Sequence, residues 1–199
     1  MKSWKLAILF LLAAVVAAAL YGASVIRRGL SVHQPPSALE RTLARTIRSI
    51  SIPKIARDEE NPWKDKATPD VMADAMAHWA DHCATCHAND GSGQTQIGQN
   101  LYPPAPDMRL PATQNLTDGE LNYIIQNGIR MTGMPGWGQP GELQNDGSWQ
   151  LALFIRRLPH LTPAEIEQMK ALNPKSMMET PAAETGLGGH PPGTPPHTH

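Results

Sequence analysis

Several things that hold small domains together are scarce in this sequence. Only two of its 199 residues are cysteine, which excludes a disulfide-built scaffold and a four-cysteine zinc site. Aromatics are 5% of the chain, so a small domain has little ring surface for a core and needs another source of cohesion. The net charge of −1 removes the basic excess expected of a nucleic-acid binder. No glycine-rich phosphate loop is present, nor any arrangement of nucleophile, base and oxyanion donors. In their place stand 19 prolines and 16 glycines, which keep much of the chain out of regular elements. The length suits one modest domain with flanking segments.

The charge is unevenly spread, with nine Lys/Arg against four acids in residues 1–60 and six against ten in residues 61–160. Residues 6–26 carry no charge and, as a helix, cover roughly 30 Å, the thickness of the hydrocarbon layer. They predict a transmembrane anchor behind a cytoplasmic stub, residues 1–5. A cleaved signal peptide is the competing reading, because Lys2 and Lys5 precede the run and Ala17, Ala18 and Ala19 offer a small-residue cleavage pattern. Val25 and Ile26 carry the apolar run past that point, which favours the anchor. Arg27, Arg28, Arg41, Arg45 and Arg48 follow the run, so counting positive charge alone would place the following domain inside the cell.

In residues 37–50, Leu39, Leu43, Ile47 and Ile50 recur on one helical face, with Arg41, Arg45 and Arg48 elsewhere. Such a helix is either a solvated stalk or a basic surface resting on anionic lipid or a partner subunit. Residues 51–68 hold Pro53, Pro62 and mixed charge and read as a linker. A helix is predicted from Pro69 to His82, presenting Met72, Ala75, Met76, Trp79 and Cys83 on one face. Residues 88–113 read as a long loop. Thr117 and Glu120 form a capping box at the head of a helix ending near Gly128. A second Gly/Pro loop, residues 130–147, precedes a short apolar helix over 148–158. Thr162 and Pro163 open the last helix, ending at Leu172. The expected organisation is thus 1–5, 6–26, a basic stalk and linker over 27–66, a core domain over 67–160, a final helix over 161–172 and a disordered tail over 173–199.

The chemistry lies in Cys83, Cys86 and His87. At the end of a helix these positions share a face, so two thiols and an imidazole meet a flat ligand at two edge points and at its centre. C-x-x-C-H is the attachment pattern of a c-type haem, with thioethers from the cysteines and His87 as proximal iron ligand. A thioredoxin-like redox pair lacks its βαβ context here, and a zinc site lacks a second ligand pair.

With these residues in place, the chain resembles the monohaem class I cytochromes c, in particular the bacterial membrane-anchored modules of oxidases and dehydrogenases. The matching features are Trp79, the run Cys83-Ala-Thr-Cys-His-Ala-Asn-Asp-Gly-Ser-Gly and the run Leu101-Tyr-Pro-Pro-Ala-Pro-Asp. Farther on come Asn127-Gly-Ile-Arg-Met-Thr-Gly-Met-Pro-Gly-Trp-Gly and Trp149-Gln-Leu-Ala-Leu-Phe-Ile-Arg-Arg-Leu-Pro. Ala75 departs from the glycine common in the family at the crossing of the first and last helices, which implies slightly looser packing. The resemblance implies an all-α class I cytochrome c fold, a few helices wrapped around one covalent haem c, with an N-terminal transmembrane helix. It implies an axial methionine in the Gly-Met-Pro motif, here Met134, with Met131 and Met108 as alternatives. Arg130 and Trp137 are candidate donors to the haem propionates. The Nδ1 of His87 needs an acceptor from the segment 101–106, with Pro104, or Pro103 beside it, as candidate.

The implied function is a carrier of single electrons between respiratory redox proteins, not an enzyme by itself, on the periplasmic face of a bacterial cytoplasmic membrane. The other readings are a haem subunit fixed in a quinone-linked dehydrogenase or oxidase, and a haem ligand sensor. Its partners would be respiratory redox proteins, the membrane through the N-terminal helix and the haem-attachment machinery during maturation, with no nucleic acid. His78 and His82 form an i, i+4 pair read as solvated, and His190, His197 and His199 lie in the tail.

Overall fold

The computed structural model describes residues 3–28, 31–139 and 145–173. The chain divides into two compact units, one ending at Ala44 and the other beginning at Arg45. In the first, helix α1 spans Ser3–Arg28, and its stretch Trp4–Arg27 is long and apolar enough to cross a membrane. Its Leu9, Phe10 and Leu20 side chains are exposed. Helix α2, Ala38–Ser51, begins on a capping box in which Glu40 N–H donates to Ser37 Oγ at 3.2 Å and Ser37 N–H donates to Glu40 Oε2 at 2.7 Å.

The second unit holds the remaining helices: α3 (Lys54–Arg57), α4 (Pro69–His78), α5 (Ala84–His87), α6 (Gln96–Gln99), α7 (Pro111–Gln114), α8 (Asp118–Asn127), α9 (Asp146–Arg157) and α10 (Pro163–Leu172). No strand occurs among the described residues. Helices α4 and α8 pack on α9, and α10 packs on α4. Their shared core comprises Met76, Trp79, Leu121, Ile125, Phe154, Ile155 and Met169, with Ala75 fully buried among them. Burying a large apolar side chain is worth about 1.5–3 kcal/mol, so these few residues supply most of the cohesion that the protein alone can generate.

Capping explains where the helices begin. Thr68, Thr117 and Thr162 each accept from the third residue of their helix, and Thr117 and Thr162 complete capping boxes with Glu120 and Glu165. The ends of α8 and α9 lie within two residues of the helices expected from periodicity.

Three segments differ from expectation. The predicted helix 69–82 is regular only to His78 and widens into a π turn over Trp79–Cys83. Such a turn has one extra residue between hydrogen-bonded groups and re-aims the side chains that follow it. The 88–113 loop contains α6 and α7, each one turn long. The segment 51–68 is tied down along its length: Ile52 is buried, Arg57 pairs with Glu120 at 3.0 Å, and the Asn61 amide donates to the Trp149 carbonyl at 3.0 Å. Trp63 Nε1–H donates to Asp146 at 3.0 Å. These contacts join residues far apart in sequence, which is why composition reads the segment as a linker. Residues 174–199, with His190, His197 and His199, lie outside the described residues.

Candidate functional site

The cysteine motif sits where the helical winding changes. The π turn ends on Cys83, and α5 carries Cys86 and His87. Behind this stretch Trp79, Ala80, Ala84 and Ala88 are essentially inaccessible. The Trp79 indole N–H donates to the Ala88 carbonyl at 3.1 Å, across the width of the motif. Gly93 N–H donates to the His87 carbonyl at 2.9 Å, and the Thr95 hydroxyl donates to the carbonyls of Thr85 (2.9 Å) and Cys86 (3.2 Å). Gly98 lies so close that a Cβ there would stand 2.1 Å from the Cys86 carbonyl oxygen, so only glycine fits. Every carbonyl named here is satisfied, and the motif is held from behind.

In front lies a narrow apolar cleft lined by Trp79, Cys83, His87, Met108, Ile125, Met134, Trp137, Leu151 and Ile155. The structure thus brings Cys83, His87 and Met134 to one apolar cleft. Cys86 is half-buried beside it. Burial and the neighbouring Cys86 push the Cys83 thiol up to about 12, and burial raises Cys86 as well. Both thiols therefore stay protonated at neutral pH, the opposite of the lowered value that activates a redox cysteine pair. Burial lowers the His87 imidazole, which keeps it neutral and able to ligate a metal. The Pro106 backbone partly opposes that lowering. The contact falls short of a formed hydrogen bond at Nδ1, which is buried without a partner. An apolar cleft lined by the Cys83 thiol, a neutral imidazole and a thioether, with Cys86 one helical turn further on, suits a flat, largely apolar macrocycle with iron at its centre.

The methionine loop begins at Gly128, which has φ +66° and leaves no room for a Cβ, 2.5 Å from the Gly136 nitrogen. Ile129 N–H donates to the Met134 carbonyl and Met134 N–H donates to Thr132 Oγ1, each at 3.1 Å. Trp137 and Gly138 N–H donate to the carbonyls of Ile125 and Gln126 at 3.0 Å, which clips the far end of the loop to α8. Of the three candidate methionines, Met131 is 92% exposed and has φ +62°, so it points away from the cleft. Met108 lines the cleft with Met134. Arg130 is exposed and does not line the cleft, whereas Trp137 does.

Two features escape a reading of the sequence. The rings of His82 and Trp137 lie 5.0 Å apart at 31°, and the rings of His78 and His82 meet edge-on at 5.1 Å. His82 is exposed, as expected of a solvated histidine, and its ring also lies against Trp137 of the methionine loop. Arg109 donates to Asp107 at 2.8–2.9 Å and to Asp90 at 2.7 Å, joining the loop after α5 to the 101–109 loop. Only the spacing of Asp107 and Arg109 hints at this bridge, and Asp90 is 19 residues away.

An all-helical domain that presents a paired-cysteine and histidine motif to an apolar cleft is a c-type cytochrome. Residues 70–155 match the family described as cytochrome C oxidase, cbb3-type, subunit III, and this part of the chain is a monohaem class I cytochrome c domain. The domain carries covalently bound haem c with its iron. No match is found among curated proteins.

Proposed function

We propose that the protein is a membrane-tethered carrier of single electrons in which Cys83 and Cys86 hold the haem through thioethers and His87 and Met134 are its axial ligands. The observation that carries this reading is that His87 and Met134 line the same cleft, with Cys83 at its edge and Met131 turned out of it. When bound, the haem iron supplies one-electron chemistry by cycling between ferric and ferrous states. The protein's part is to keep both axial positions filled, and filled positions leave no place for a substrate. The thioether of Met134 favours the ferrous state and raises the potential. The apolar lining from Ile125, Leu151 and Ile155 excludes water and so limits the reorganisation that accompanies a change of charge. Helix α1 is the tether, confining the carrier near membrane partners and raising its effective concentration there. The haem domain then faces the periplasm.

A second reading, a haem subunit fixed in a larger oxidase, is favoured by the description of the matched family. Carbon monoxide added to the reduced, purified protein tests the ligation. An unchanged visible spectrum is expected of two filled axial positions, and rapid, complete binding would overturn it. Mild detergent extraction separates the two readings, since a fixed subunit co-purifies with its complex in constant ratio and a free carrier does not.

A further inference from the structure

Helix α2 is turned the wrong way round for an ordinary stalk. With 3.6 residues per turn, Leu39, Leu43, Ile47 and Ile50 fall within an arc of roughly 80°, and Arg41, Arg45 and Arg48 lie roughly opposite. An amphipathic helix packed on its own domain buries the apolar arc. Here the exposures of the four aliphatic residues are 66, 55, 52 and 75%. The residue turned toward the domain is Arg48, whose Nε is buried and whose charge acts on Glu120 of α8. Arg57, paired with the same Glu120, donates to the Ser49 carbonyl and fastens the last turn of α2 to α8. The polar side of this last turn is thus engaged by the domain, and Ile47 and Ile50 in the same stretch face outward.

We propose that this stripe lies in the boundary between headgroups and acyl chains of the bilayer that α1 crosses, so that α2 seats the haem domain on the membrane surface. The inference rests on α1 being an uncleaved anchor. Three observations choose lipid over a protein partner. Only nine residues separate the end of α1 at Arg28 from the start of α2 at Ala38, a reach of at most about 32 Å, so α2 cannot leave the neighbourhood of the bilayer. The stripe is purely aliphatic, without the tyrosine, tryptophan or arginine that anchor protein interfaces. Glu40 is the one acid on α2 against three arginines, the balance that an anionic surface attracts.

The test uses the full-length holoprotein in vesicles of phosphatidylethanolamine and phosphatidylglycerol. Haem attachment consumes Cys83 and Cys86, so a single introduced cysteine is the only free thiol to carry a spin label. Leu43→Cys and Ile47→Cys sample the stripe, and Ala44→Cys samples the side. Collisional relaxation by oxygen, which partitions into lipid, is compared with that by a water-soluble nickel chelate. The oxygen-to-nickel ratio is expected to be several-fold higher at 43 and 47 than at 44. Equal ratios at all three positions in protein that resists carbonate extraction would overturn the inference and leave the anchor standing. Protein released by carbonate would overturn both. Shielding of 43 and 47 in native membranes but not in pure lipid would assign the stripe to a partner chain and overturn the lipid assignment.

Discussion

The two sides of the haem cleft are built differently. The histidine side is held in depth, with Trp79 spanning the motif to Ala88, Thr95 bonded to two of its carbonyls and three alanines packed without accessible surface. The methionine side is a surface loop clipped at its ends by backbone hydrogen bonds, with Met131 in solvent and Trp137 40% exposed. Packed interiors resist displacement, whereas loops open locally at a small fraction of the global stability. With Met134 as the proposed sixth ligand, its loss is the low-energy excursion of this domain, whereas loss of the proposed ligand His87 requires the core to open.

The largest effect that bears on this contrast comes from the attachment itself. Replacing both Cys83 and Cys86 with Ala is expected to abolish covalent haem; a band persisting on a haem-stained denaturing gel would contradict the attachment. Next comes Met134→Ala, which is expected to open the iron to carbon monoxide while leaving the fold intact. Met131→Ala should leave the ferric spectrum unchanged, and the reverse pattern would exchange their roles.

On the histidine side, Trp79→Ala removes a fully buried indole, a change that costs about 3–5 kcal/mol in cores. Trp79→Phe keeps most of the ring and loses the bond to Ala88, so about 1 kcal/mol is expected by denaturant titration. On the methionine side, Gly128→Ala forces a Cβ into left-handed backbone against Gly136, and about 1–3 kcal/mol of strain is expected. Its signature would be faster carbon monoxide binding than in either Trp79 variant, if the methionine side is the one that opens. Equal rates would erase the contrast.

The smallest effect concerns pH. Hydrogen bonds from Arg109 hold the Asp107 carboxyl below its usual value of 3.8. A carboxylate depressed on folding stabilises the fold above its unfolded value and loses that contribution as pH falls through the folded one. Arg109→Gln should therefore lower the melting temperature slightly at neutral pH, by the worth of a surface pair, under about 1 kcal/mol. The difference from the parent should shrink below about pH 4. A constant difference from pH 7 to pH 3 would show that Arg109 acts by packing.

The sequence by itself determined the features that rest on local chemistry. Cys83, Cys86 and His87 are adjacent, so their spacing declares a haem wherever the motif lies. The caps at Thr117 and Thr162 and the uncharged run over residues 6–26 are likewise local features of the chain. Tertiary structure alone decided what depends on residues brought together from a distance. It turned Met131 out to solvent and put Met134, together with Met108, in the cleft with His87. It drew residues 51–68 onto the domain through Glu120, Trp149 and Asp146, and set His82 against Trp137. Periodicity shows that a helix has two faces. Which face meets protein depends on what the rest of the chain presents, and in the last turn of α2 it is the side of Arg48, whose Nε is buried.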